Sequence, residues 1–168
     1  MRLNVRKMVL SALFASLIVL CAWISIPIPP VAFTLQTFGV LMALGVLGGK
    51  WGTVSILLYL ALGIVGLPVF AGFRGGAGAL LDATGGFLWG FLLGGLAYWL
   101  TERLGKLSAL ALCQLICYVC GCIWFAHWAG CTLTAAALAC VVPYVVPDVL
   151  KLWLAHRISC RLVRQLKL

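Results

Sequence analysis

Acidic side chains are nearly missing from this chain. It has three Asp plus Glu in 168 residues, against twelve Lys plus Arg. Asp82, Glu102 and Asp148 form no carboxylate pair at helical spacing for acid–base work. Histidine is scarce as well. His127 and His156 lie far apart and fit no His-Glu-x-x-His zinc pattern. An enzyme is therefore not expected, and neither is a resident metal or cofactor. Charged residues make up only 9% and hydrophobic residues 65%, with a mean hydropathy of +1.19. Soluble domains run near half apolar and a quarter charged, so a water-soluble globule is excluded. Disorder is excluded too, because it needs low hydrophobicity and high charge. No phosphate loop is present either. Gly45-Val-Leu-Gly-Gly-Lys50 places its first glycine wrongly and has Trp51 where Ser or Thr would hold magnesium, so ATP hydrolysis is not expected.

What is there is apolar length. A spanning helix needs about 20 mostly apolar residues. No charge occurs between Met8 and Gly49, and Ser25-Ile-Pro-Ile-Pro-Pro30 interrupts that run, because proline lacks an amide donor and restricts its predecessor. Spans are expected at about 8–26, 33–49, 51–66, 86–101, 107–128 and 144–163. A Gly-rich stretch from Ala71 to Gly86 exposes too much backbone to face lipid. A small-residue segment fills the interval before the last span. Span 1 is expected to be a retained helix, since no Ala-x-Ala-like site precedes the Pro-rich loop.

The net charge of +9 would suggest nucleic acid in a soluble protein. Here it is clustered: Arg2, Arg6 and Lys7, then Lys50, then Arg103 and Lys106, then Arg157, Arg161, Arg164 and Lys167. Long uncharged runs separate these clusters, so no nucleic-acid partner is expected. Cytoplasmic loops carry the Lys/Arg excess, and only an even number of spans puts all four clusters on one side. The expected fold is all-α: one transmembrane domain over 1–168, a bundle of six helices in membrane lipid, with both termini cytoplasmic.

Several features are candidates for function. Cys113, Cys117 and Cys120 share a helix face, which reads as metal or redox chemistry or as small apolar packing. Ser11, Ala12, Ala15 and Ser16 form overlapping small-xxx-small pairs on span 1. Such faces allow close helix approach, either inside the bundle or against a partner. Asp148 and Lys151 sit three residues apart in an apolar span. They are either an internal ion pair or the polar floor of a pocket, since intramembrane charges face the bundle interior or a cavity. Pro143 and Pro147 make the helix start there irregular, which requires a cavity or protein around it. The opposite wall is expected from Phe70-Ala-Gly72-Phe-Arg74-Gly-Gly76. Its glycines permit close backbone approach, and Arg74 is the single basic residue on the external side. Phe33, Thr34, Gln36, Trp124 and Tyr144 are expected to complete it. A small, amphiphilic, anionic solute fits such a site.

The same residues carry a resemblance. Thr34-Leu-Gln-Thr-Phe-Gly-Val-Leu-Met-Ala43 resembles the span 2 motif of the BioY family, the biotin-binding S components of energy-coupling factor (ECF) transporters. Leu58-Tyr59 through Gly63, then Gly66-Leu-Pro-Val-Phe-Ala-Gly72, resemble its span 3 and following loop. Thr84-Gly-Gly-Phe87 resembles the end of its loop motif, and Pro143-Tyr-Val-Val-Pro-Asp148-Val-Leu-Lys151 its Pro-Phe-x-Pro-Gly-Asp-x-x-Lys. Asp82-Ala83 replace a Gly-Pro, and Val146-Pro147 a Pro-Gly. The resemblance implies a multi-pass subunit of a prokaryotic cell membrane that takes up biotin. It implies a transmembrane coupling subunit and ATPase subunits as partners, with the span 1 face (Ser11, Ala12, Ala15, Ser16) turned to the coupling subunit. It leaves open whether this chain works alone. It adds Thr84 to the site. Asp148 is expected to accept from a biotin N–H, and Arg74 to meet the valerate carboxylate.

Overall fold

The computed structural model describes residues 5–29 and 31–166. Arg2, Lys167 and Pro30 fall outside the described residues. The order is α1 (Val5–Trp23), β1 (Ser25–Ile26), β2 (Phe33–Thr34), α2 (Gln36–Ile64), two 3-10 turns (Ala71–Phe73 and Ala77–Leu80) and α3 (Gly85–Thr101). A further turn at Glu102–Leu104 leads to α4 (Lys106–Ala129), α5 (Leu133–Cys140), a turn at Val142–Tyr144 and α6 (Val145–Leu166).

α2 is not one rod. Gly48 breaks it with φ 76° and ψ 174°, a left-handed backbone that favours glycine. Gln36 Nε2 then reaches the Tyr59 hydroxyl at 2.8 Å, although 23 residues of straight helix would separate them by about 35 Å. A Cβ added to Gly52 would come within 2.7 Å of Leu44 Cα. The two halves therefore run back against each other as antiparallel arms, where separate spans at 33–49 and 51–66 are expected. Glu102 closes the bend: its Oε2 accepts from the Gly49 N–H at 2.6 Å and caps the second arm.

α1, α2, α4 and the stretch Leu133–Gln165 are long and apolar enough to cross a membrane. α3 has 17 residues, almost all apolar or glycine. Large apolar side chains such as Val9, Leu13, Leu57, Leu100, Leu115 and Ile123 point outward. A soluble monomer rarely carries so much exposed apolar surface, whereas lipid accommodates it. The chain is a multi-pass membrane protein.

Small residues bring the helices together. A Cβ on Gly90 would lie 2.9 Å from Cys117 Cα, and one on Gly94 2.9 Å from the Cys113 carbonyl. Cys113 and Cys117 are buried in this α3–α4 seam. Two of the grouped cysteines thus act as compact apolar residues, and α3 approaches them so closely only because it offers glycine.

Two elements add to the expected six helices. The Pro-rich loop is pinned by a short antiparallel ribbon, Ser25 against Thr34 and Ile26 against Phe33. The small-residue segment before the last span is itself a helix, α5, whose N-cap Thr132 accepts from the Ala135 N–H at 3.3 Å. Lys7, Gly48, Arg103, Lys106 and Val163 border one cavity. The start of α1, the α2 bend, the α3–α4 turn and the end of α6 therefore meet at one end of the bundle. Thr34, Arg74, Thr84 and Asp148 border another cavity, at the opposite end.

Candidate functional site

The pocket at that opposite end has a polar floor set into apolar walls. Asp148 and Lys151 project from the first turns of α6, three residues apart and on one face. Their ion pair measures 2.7 Å, with the side chains 7% and 8% exposed. An ionised pair so deep must satisfy its remaining hydrogen-bonding capacity, and it does so from three directions. Tyr118 donates to Asp148 Oδ2 at 2.6 Å, and Gln114 Nε2 donates to the same oxygen at 3.3 Å. Lys151 Nζ donates to the Thr34 carbonyl at 2.6 Å, to Thr37 Oγ1 at 3.4 Å and to Asp148 Oδ1. These use all three ammonium donors. The Phe33 ring lies 4.0 Å from the ammonium, close enough for a cation–π contact. Asp148 Oδ1 accepts only from Lys151 among the described residues, so it keeps accepting capacity on a residue that borders the cavity.

The walls follow from the helix faces. Phe33 stacks on Tyr144 at 6.2 Å and 11°, and the Tyr144 hydroxyl donates to the Val31 carbonyl, tying the start of α6 to the Pro-rich loop. Phe70, Phe87, Leu88 and Phe91 add apolar surface, and the space between the walls is about 790 Å³, part of it open to solvent. Arg74 stands at the mouth. It donates to Asp82 at 2.5 Å, to the Ala71 carbonyl at 3.2 Å and to Thr84 Oγ1 at 3.3 Å. A guanidinium has five N–H groups, so two remain.

The arrangement suits a small amphiphile, and comparison with known proteins narrows it. A family model described as the BioY family matches residues 1–168. The chain belongs to the BioY family. A probable biotin transporter BioY of Pyrococcus horikoshii is 39% identical over 164 residues, covering 95% of this chain and 98% of that protein. Biotin transporter BioY2 of Lactococcus lactis is 32% identical, covering 95% and 91%. Biotin transporter BioY of Thermotoga maritima is 53% identical over 89 residues, a match spanning about half the length of each protein (53%). The crystal structure of the S-component for biotin from an ECF-type ABC transporter superposes with a TM-score of 0.89 at 28% identity, covering 96% of this chain and 92% of that one.

Of the residues expected in this BioY ligand site, Thr34, Gln36, Arg74, Thr84, Tyr144, Asp148 and Lys151 border the pocket. Gly72 does not. It takes φ 69° with open space where a Cβ would stand, a left-handed backbone that favours glycine at this turn. Trp124 also stands back, its indole N–H donating to the Asp82 carbonyl at 2.9 Å. Gln114, Tyr118 and Thr37 went unread in the sequence. Gln114 and Tyr118 carried a signal: polar groups four residues apart in an apolar span share a face.

The small-residue face of α1 divides between the bundle interior and the surface. Ser11 is 1% and Ala15 2% exposed, because both pack inside the bundle. Ser11 Oγ donates to the Lys7 carbonyl at 2.9 Å and to the Trp51 carbonyl at 3.2 Å, across to α2. Ala12 and Ser16 point outward. Of the four, Ala12 and Ser16 are the ones left on the outer surface of the bundle.

Proposed function

We propose that this chain is a biotin-binding S component that mediates biotin uptake and draws its energy from a coupling subunit and ATPase subunits. The observation that carries the reading is the buried Asp148–Lys151 floor, with an accepting carboxylate beside an apolar pocket. A ureido head offers N–H donors to that carboxylate, and its apolar rings fit the aromatic walls. The named relatives and the neighbouring S-component structure support the same reading. Equilibrium binding of radiolabelled biotin to the purified chain tests it. Saturable binding is expected; preference for a different vitamin, or no binding of either, overturns it.

Arg74 is assigned to the tail carboxylate through its two remaining N–H groups. Asp82 shares the same cation, and the pair is exposed, so the gain is small. Biotin should bind wild type about two- to fivefold better than its neutral amide, the size of an exposed ion pair. Arg74→Ala should bind both alike. An unchanged preference in Arg74→Ala removes Arg74 from this role.

Six membrane crossings with both termini inside accommodate the antiparallel α2 arms and the meeting of Lys7, Gly48, Arg103, Lys106 and Val163 at one end. A C-terminal cysteine tag should react with an impermeant reagent only after permeabilisation. Reaction in intact cells reverses the orientation.

Ala12 and Ser16 are assigned to the coupling subunit, because close helix packing in lipid depends on small outward residues. Ala12→Trp should retain biotin binding while losing co-purification with the coupling subunit. Ala15→Trp should instead reduce the folded yield, since Ala15 has no room inside the bundle. Equal behaviour of the two variants removes the distinction.

A further inference from the structure

A second cavity lies at the other end of the bundle, away from the Asp148–Lys151 pocket. With about 870 Å³ of space, part of it open to solvent, it is bordered by Lys7, Glu102, Arg103 and Lys106, with Gly45–Gly48, Tyr98 and Val163. Three cations thus face one carboxylate, and that carboxylate is turned to the Gly49 N–H. The side chains of Lys7, Arg103 and Lys106 have no hydrogen-bond or ion-pair partner among the described residues.

The charge is placed against the local helix field. Lys106 opens α4, and the first turn of that 24-residue helix has no acidic residue and no side-chain cap. A helix N-terminus carries partial positive charge and unsatisfied N–H groups, so a lysine there is disfavoured unless an anion joins it. The neighbouring N-terminus, at Gly49, does have an acidic cap. The uncapped one has cations in its place.

We infer that this cavity binds the phosphate headgroup of an anionic phospholipid, between Lys7, Arg103, Lys106 and the start of α4. The lipid source follows from the surroundings. Leu100 and Leu104 are 82% and 84% exposed, and Leu107 is exposed too. Apolar side chains of this kind bracket Arg103 and Lys106 and offer acyl chains a surface beside the phosphate. Basic pockets between transmembrane helices suit anionic headgroups in this way.

Thermal unfolding of the purified full chain in phosphatidylcholine nanodiscs, with and without phosphatidylglycerol, tests the inference. Phosphatidylglycerol at about a hundred times its dissociation constant should raise the unfolding temperature by roughly 5 °C. The double variant Arg103→Gln and Lys106→Gln should unfold at the wild-type temperature in phosphatidylcholine alone and lose that rise. If the double variant does not fold, Lys7→Gln serves instead and should show about half the rise. No rise in wild type, or the same rise in every variant, overturns the site. The same rise with inorganic phosphate in phosphatidylcholine nanodiscs overturns the lipid assignment in favour of a free anion.

Discussion

Lys151→Met should be the most damaging single substitution at the pocket. It leaves the Asp148 carboxylate buried without its cation and frees the Thr34 carbonyl and Thr37 hydroxyl that the ammonium holds. Breaking one partner of a buried ion pair costs about 3–5 kcal/mol, a large part of the stability of an ordinary domain. Yield of monodisperse protein and its unfolding temperature should fall together. The double variant Asp148→Asn with Lys151→Met should recover most of that loss, since a neutral pair of similar volume carries no stranded charge. It should still fail to bind biotin. If the double variant is as unstable as Lys151→Met, the damage comes from the lost backbone tie to Thr34 and not from charge.

Asp148→Asn alone should weaken biotin binding by roughly tenfold to a hundredfold. The amide keeps the shape of the carboxylate but replaces a charged acceptor, and one charged hydrogen bond is worth about 1.5–3 kcal/mol. Titration calorimetry on protein that retains its elution profile provides the measurement. Unchanged affinity would confine Asp148 to holding Lys151.

The helices were largely legible because lipid leaves the chain few choices. Backbone groups in hydrocarbon must be satisfied within the segment, so apolar length and basic boundaries place elements closely. Residues 107–128 were expected where α4 runs from Lys106 to Ala129, and 86–101 where α3 runs from Gly85 to Thr101. Asp148, Lys151 and Arg74 were legible for the converse reason, that charge in or beside an apolar bundle is costly and needs a purpose.

The inward side of α1 was not legible. In lipid, buried and exposed helix faces are both apolar, so periodicity does not distinguish Ser11 and Ala15 from Ala12 and Ser16. Only the position of the Trp51 carbonyl makes Ser11 an inner residue. The ribbon at Ser25–Thr34 depends on a chain return across prolines that carry no pairing pattern. The left-handed turn at Gly72 was not legible either, because a glycine in a loop looks the same whether it admits a ligand or a turn.

The hydrogen-bond cage around Lys151 gives the pocket a sense of direction. Donors near the floor are turned toward the protein: three from the ammonium, the Tyr118 hydroxyl, one N–H of Gln114 and one of Gln36. Much of the capacity left over is lone pairs, those of Asp148 above all. At the mouth the balance reverses, since Arg74 keeps two N–H groups and no lone pair. On the proposed roles of Asp148 and Arg74, a molecule with N–H groups at one end and a carboxylate at the other is expected to enter in a single orientation, head down. Turned end for end, it would set its own anion against Asp148 and its N–H groups against a guanidinium, so the pocket sorts orientations by polarity as well as by shape.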